Sequence, residues 1–263
     1  MPERSHALTA AQIASFIADG FVRIDNAFSE DTAAACRAIL WKAAGVDPDD
    51  PKTWTRPVIR LGGFADLPFR EAANAPALVA AYDQLVGPGR WLAPGGLGTF
   101  PIRFPSPDDP GDTGWHVDAS IAGDDPNDFF SIRVNILSKG RALLMLFLFT
   151  EIGEADAPTR IKVGSHKAFA RHIADKGDAG VSLRQLIDEQ YDWGGDMREV
   201  LATGSPGTVY LCHPFLIHGA QPHHGTRPRI IAQPPLMPRG EFRIDGAEDY
   251  CPVEVAIRQA LGR

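Results

Sequence analysis

Four side chains in this sequence have types and spacing suited to metal chemistry. His116 and Asp118 flank Val117, His218 lies far downstream, and Arg229 follows shortly after it. Two imidazoles and one carboxylate can hold Fe(II) on one face, leaving the opposite coordination positions open for a chelating co-substrate and for O2. A nearby guanidinium can grip a carboxylate of that co-substrate through two parallel charge-assisted hydrogen bonds, an orientation a lysine ammonium cannot impose. Along an extended strand, residues i and i+2 point to the same side, so His116 and Asp118 can reach one metal while Val117 faces away. The third ligand must then come from a strand folded alongside. His218 ends the run from Thr208, which is rich in strand formers and bounded by Gly207 and Gly219.

The triplet alone carries little weight. Eight histidines in a chain with 33 acidic residues give about one His-x-Asp/Glu by chance. Order and context strengthen it: Gly114-Trp115 leads into His116, a second histidine sits on a strand, and an arginine follows. Arg227 competes with Arg229 for the anion, but Pro228 assigns it to the turn before the apolar run Ile230-Ile231-Ala232. Two histidines and a carboxylate also suit zinc with a bound water, so a hydrolase stays open. A metal-containing jelly-roll binding protein without turnover does too.

Four segments together resemble the phytanoyl-CoA dioxygenase family of Fe(II)/2-oxoglutarate oxygenases. They are Gly114 to Asp118, Arg141 to Phe149, Ala157 to His166 and His213 to Arg229, within a resemblance running from near the N-terminus to about Met237. The resemblance implies that His116, Asp118 and His218 are the iron ligands and that Arg229 holds the distal carboxylate of 2-oxoglutarate. It places the metal histidine at His218, before the small Gly219, and not at His213. Relatives that halogenate have a small residue in place of the carboxylate, which Asp118 argues against. Where some relatives carry a polar co-substrate contact, this chain has Leu144 and Leu146. The implied reaction couples oxidative decarboxylation of 2-oxoglutarate, giving succinate and CO2, to hydroxylation of a C–H bond in a small organic molecule.

Other residues are read from pattern alone. Thr99, Pro101 and Arg103 alternate along an expected strand and would face the cavity together, which makes Thr99 a further co-substrate contact and Arg103 a pocket candidate. His166, His172, His223 and His224 read as solvent-exposed or locally hydrogen-bonded, and Trp115 reads as core packing.

Composition limits the remaining possibilities. The net charge of -7 and the lack of a basic cluster argue against nucleic acid or an anionic membrane as partner, leaving a small-molecule substrate and O2. Cys36, Cys212 and Cys251 form neither a C-x-x-C nor an even-numbered framework, which suits a reducing cytoplasm. Met1 to His6 lack the basic and apolar regions of a signal peptide. The most apolar run, Ala142 to Phe149, falls far short of the roughly 20 residues of a membrane-spanning helix.

The positioning elements follow from periodicity and punctuation. A hydrophobic fraction of 44% supports a large core, and 26 Gly with 22 Pro indicate many turns and short strands. Thr9 caps a helix ended by Gly20, a strand covers 21–24, Ser29 caps a helix running to Ala44, and Pro76 opens another to Val86. Strands are expected over 97–104, 115–119, 130–137, 142–152, 160–163, 199–202, 207–213 and 229–237. Segment 166–197, with Leu183, Leu186 and Ile187 at helical spacing, interrupts them as an insertion over the barrel mouth. The expected fold is α+β, mainly β: a double-stranded β-helix (jelly roll, cupin-like) with N-terminal supporting helices. One oxygenase domain over 1–263 would hold a helical part at about 1–90 and the jelly-roll core at about 91–240.

Overall fold

The computed structural model describes residues 7–246 and 249–263, so the Met1 to His6 segment lies outside the described residues. In chain order the elements are α1 (Ala10–Asp19), β1 (Phe21–Ile24), α2 (Glu30–Ala44), β2 (Val58–Leu61), α3 (Leu67–Ala73), α4 (Pro76–Val86), β3 (Phe100–Arg103), β4 (Trp115–His116), β5 (Arg133–Val134) and β6 (Leu143–Leu148). There follow β7 (Arg160–Lys162), α5 (Ser165–Ile173), β8 (Val181–Ser182), α6 (Leu183–Asp188), β9 (Glu199–Leu201), β10 (Val209–Cys212), β11 (His218–Gly219), β12 (Ile231–Ala232), β13 (Pro235–Leu236) and α7 (Pro252–Ala260).

The N-terminal helices form where their caps predict. Thr9 accepts from the Gln12 amide and Gln12 answers with its side chain to the Thr9 amide, a reciprocal capping box. Gly20 ends α1 at φ +91, and a Cβ there would lie 2.5 Å from Nδ1 of His166, so both the backbone angle and the space require glycine. Ser29 caps α2 by accepting from the Thr32 amide, and Gly45 ends it in the left-handed region at φ +69.

Two antiparallel sheets make the jelly roll. The larger has the order β1-β10-β6-β12, with β13 also on β6, and the smaller has the order β4-β11-β7-β9. Strand β6 is buried along its whole length because both of its faces are covered. Leu143, Met145 and Phe147 pack in one core cluster with Phe16, Leu40, Phe69 and Tyr82 from the helices. Leu144, Leu146 and Leu148 turn to the other side and meet Ile161 of the smaller sheet and Ala202 just past β9, together with Tyr210 and Cys212. Each such side chain contributes about 1.5–3 kcal/mol by leaving water. The uninterrupted apolar run is therefore a central strand lying between the helical layer and the second sheet.

Several expected elements are shorter or different. The expected 130–137 strand is instead a 3-10 turn, Phe129–Ser131, followed by β5, because the Asp128 carboxylate accepts from the Phe130 amide and curls the chain. The expected 229–237 strand divides into β12 and β13. Strand β4 stops at His116, since only His218 and Gly219 pair with it. Helices α3, α5 and α7 and strand β2 have no counterpart among the expected elements. All three cysteines are free and buried. Among the described residues, no helix is long and apolar enough to cross a membrane.

Candidate metal and anion site

Strand register brings the two histidines together. His218 on β11 is the direct antiparallel partner of His116 on β4, and their ring centroids are 4.3 Å apart. Cross-strand partners project from the same face, so the register alone aims both imidazoles at one point. Asp118 lies beyond the end of β4 and still meets them: the ligand-type atoms of His116, Asp118 and His218 all lie within 4.8 Å of one another. Among the described residues this is the one His/Cys/Asp/Glu group so arranged. Val117 is buried in the core.

The imidazoles are held in one tautomer. Nδ1 of His116 donates to the Gly114 carbonyl at 3.1 Å, and Nδ1 of His218 donates to the Leu216 carbonyl at 3.0 Å. A carbonyl only accepts, so each ring keeps its proton on Nδ1 and offers the Nε2 lone pair, the usual outer-sphere arrangement of a metal-binding histidine. Burial, helped by the adjacent His116, pushes His218 down to about 4, which keeps it neutral and able to ligate. Burial raises Asp118, but Arg141, His218 and His116 outweigh that effect and hold its carboxyl below the usual range. Nη1 of Arg141 is 3.2 Å from Asp118 Oδ2. Gly219 permits the close pairing, because a Cβ there would sit 3.1 Å from the same Gly114 carbonyl that orients His116.

A second cluster lies at the other end of the short Asp112–Gly114 segment. Arg103 and Arg229 form an isolated antiparallel bridge, exchanging backbone hydrogen bonds of 3.0 and 2.8 Å, so their side chains leave from one face. Arg103 is 2% exposed and Arg229 1%. Arg103 donates to Asp112, which also pairs with the exposed Arg60, and Arg229 donates to the Thr159 hydroxyl at 3.1 Å. Nε of Arg103 and both Nε and Nη1 of Arg229 have no hydrogen-bond partner among the described residues. His223 joins them: its Nδ1 accepts from the Gly225 amide, which leaves Nε2 as an unpartnered N–H.

Every orphan in this cluster is a donor, and one carboxylate faces two buried guanidiniums. Burial and then the neighbouring Arg103 bring Arg229 down to about 9. Unmet buried donors of one sign are costly in a folded protein unless an anion completes them. Their chemistry therefore fits a bound carboxylate.

The remaining sequence expectations divide. Arg229 is buried beside Arg103, whereas Arg227 is exposed. Arg103 takes its place in the cluster, but Thr99 sits just before β3 at φ +54, so the strand alternation meant to carry it to Arg103's side is not in force there. Leu144 and Leu146 are core residues. His213 is buried against His166 and far from a ligand role, with its Nε2 directed at the Val253 carbonyl. His166 is buried and bonded to the distant Ile17 carbonyl, contrary to expectation, whereas His223 is locally hydrogen-bonded to the Gly225 amide as expected, although it is buried in the anion cluster. His172 is partly buried beside Glu189, and His224 is exposed. Trp115 packs beneath the Arg160 guanidinium at 4.2 Å and also lines a cavity beside the three ligands. Segment 166–197 supplies Leu183, Ile187 and Trp193 to that cavity. No sequence pattern marks Asp112, Thr159 or the Arg141 side chain; their roles arise from tertiary contacts with Arg103, Arg229 and Asp118.

Comparison with known proteins gives a family and a fold. Residues 16–231 match the family model described as phytanoyl-CoA dioxygenase. A crystal structure of HygX from Streptomyces hygroscopicus, with nickel and 2-oxoglutarate bound, superposes with a TM-score of 0.56 at 20% identity, covering 86% of both chains. EctD from S. alaskensis with bound Fe gives 0.53 at 18% identity over 89% of this chain and 77% of that one. The α-ketoglutarate-dependent epimerase SnoN from nogalamycin biosynthesis gives 0.55 at 16% identity over 85% and 80%. No curated protein matches the sequence.

Proposed function

Because this chain belongs to the phytanoyl-CoA dioxygenase family, we propose that it is an Fe(II)/2-oxoglutarate-dependent dioxygenase that hydroxylates a small organic molecule. The observation that carries the reading is the pairing of a two-histidine, one-carboxylate group with a separate buried cluster of unmet donors. A hydrolytic zinc centre needs the first and has no use for the second. A dicarboxylate that chelates a metal at one end and needs a counter-charge at the other uses both.

In this reading His116, Asp118 and His218 hold Fe(II), and Nδ1–H bonds to backbone carbonyls keep both Nε2 atoms aimed at it. Arg229 and Arg103 take the distal carboxylate of 2-oxoglutarate, with the Thr159 hydroxyl fixing the Arg229 fork. When bound, Fe(II) would activate O2 as the oxidant, with 2-oxoglutarate giving up two electrons as it becomes succinate and CO2, so that one oxygen atom would enter succinate and the other a substrate C–H bond. The protein contributes orientation and a cavity of about 400 Å3 beside the ligands, with Trp115, Phe130 and Leu183 in its wall.

The test is co-substrate turnover without substrate. Anaerobically purified protein given Fe(II), 2-oxoglutarate and O2 is expected to form succinate slowly, and Asp118→Ala to abolish it. Absence of succinate from iron-loaded protein, with hydrolysis in the zinc-loaded form, would support the hydrolase instead. Bound metal with neither activity would support a binding protein.

A further inference from the structure

The cavity beside the metal site has a chemical bias that the oxygenase reading leaves unused. Its wall is built from Trp115, Phe129, Phe130, Leu183, Ile187 and Trp193, coming from the end of β4, the 3-10 turn, α6 and the chain after it. The outer rim is apolar and open: Phe129 is 66% exposed, Phe130 44% and Ile187 53%. Large apolar side chains gathered in one exposed ring are costly unless something covers them, and here they surround the mouth of a concave site.

One cation lines this wall, Arg141. Its residue exposure is 9%, and neither Nε nor Nη1 has a hydrogen-bond partner among the described residues. Its nearest anion is Asp118, 3.2 Å from Nη1. Asp118 cannot serve both neighbours fully once it holds a metal, because its negative charge is then shared with a dication. Two neutral imidazoles, Asp118, a divalent metal, Arg141 and one chelating carboxylate leave one positive charge unmatched in a poorly solvated site. The distal carboxylate of the co-substrate does not answer it, since that group has its own cluster at Arg103 and Arg229. A second carboxylate, entering from the apolar side, would.

We propose that Arg141 anchors the substrate, and that the substrate is a small molecule with an apolar body and a carboxylate that takes the guanidinium donors left without a hydrogen bond. The proposal rests on the oxygenase reading for its metal and co-substrate. The carboxylate meets Arg141 beside Asp118, and the apolar body lies along Phe130, Leu183 and Trp193 toward the rim. Arg160 and Lys162 lie against Trp115 and Arg184 against Phe130, but each is engaged by backbone carbonyls or a carboxylate, so a phosphate-rich carrier finds no free cluster of cations, whereas one carboxylate has its match.

Nickel-loaded protein allows the test without turnover, and Trp115 and Trp193 in the wall give a fluorescence signal. The probes are 3-phenylpropionate and its neutral isostere 3-phenylpropanamide, titrated in the presence of 2-oxoglutarate, whose own binding is measured first. The parent is expected to bind the acid at least about 10-fold more tightly than the amide, as a charge-assisted hydrogen bond at a buried site requires. Arg141→Gln is expected to bring the acid to the level of the amide, and Arg141→Lys to keep part of the preference. Equal binding of acid and amide by the parent, or binding of neither, would overturn the proposal without using a variant. It would also be overturned if Arg141→Gln weakened 2-oxoglutarate and left the acid unaffected, since Arg141 would then serve the co-substrate. Protein that takes up neither nickel nor 2-oxoglutarate contradicts the oxygenase reading instead, and the acid–amide comparison on that sample still decides whether the cavity selects carboxylates.

Discussion

Replacing Arg229 by methionine is expected to act in opposite directions on folding and on co-substrate binding. Methionine keeps most of the aliphatic volume and removes the charge. In the folded protein without an anion, burial and then Arg103 bring Arg229 well below its ordinary value, to about 9. That depression corresponds to about 4–5 kcal/mol of penalty on the charged form. The unfolded chain holds this proton more tightly, so the penalty is fully present below pH of about 9 and fades as pH rises from there toward the unfolded value. Methionine relieves it but loses the bond to Thr159, about 1 kcal/mol, and the packing of a planar group. The net expectation at pH 7.5 is a metal-free variant as stable as the parent or up to about 3 kcal/mol more stable, a rise of several degrees in Tm. With 2-oxoglutarate the order reverses. Two charge-assisted hydrogen bonds at about 1.5–3 kcal/mol each are lost while Arg103 retains part of the attraction, so Kd rises at least about 100-fold. Thermal unfolding with and without 2-oxoglutarate, and calorimetric titration of the nickel-loaded protein, read both effects. A variant that melts far below the parent while binding 2-oxoglutarate equally well would refute this reasoning and make Arg229 a structural residue.

Asp118→Ala should lower metal affinity at least about 100-fold, since even outer-sphere changes cost 10–100-fold; its side chain is 26% exposed, so far-UV circular dichroism should be unchanged, and stoichiometric metal after dialysis would exclude it as a ligand. His166 is buried, and burial brings it from 6.5 to about 4, so it must stay neutral in the folded protein. The unfolded chain binds that proton first, and stability should therefore fall by about 3 kcal/mol as pH drops from 6.5 to 4. His166→Gln should flatten this slope in urea unfolding across that range, and an unchanged slope would show that other groups dominate it. Glu254 is fully buried and accepts from Arg90, from the Cys251 amide and from the Arg243 amide. Glu254→Ala should cost about 3–5 kcal/mol in the same assay by stranding Arg90, and a loss below about 1 kcal/mol would contradict that.

What could be read from sequence was local or periodic. Helices α1, α2 and α4 carry their own start and stop signals, and the His116-x-Asp118 spacing with a second histidine on a strand pointed to the ligand group. Helix α7 had a readable signal that went unused: Pro252 at its first position, Glu254 in a capping box, and Val253, Ala256 and Ile257 on one face. Helix α3 is a single short piece held by packing against α2 rather than by its ends. The burial of His166 depends on Ile17, which is 149 residues away, and no local pattern encodes such a contact. The Arg103–Arg229 pair likewise exists only because two distant segments bridge in register. Thr99 shows the opposite failure: an alternation that looks continuous in sequence is broken by one left-handed residue.

The most direct test of the central claim is an anaerobic titration of Fe(II)-loaded protein with 2-oxoglutarate, following the visible metal-to-ligand charge-transfer band. The account predicts a saturable band in the parent, its absence in Asp118→Ala, and a much higher 2-oxoglutarate requirement in Arg229→Met. Iron bound in full with no band at any 2-oxoglutarate concentration would contradict it.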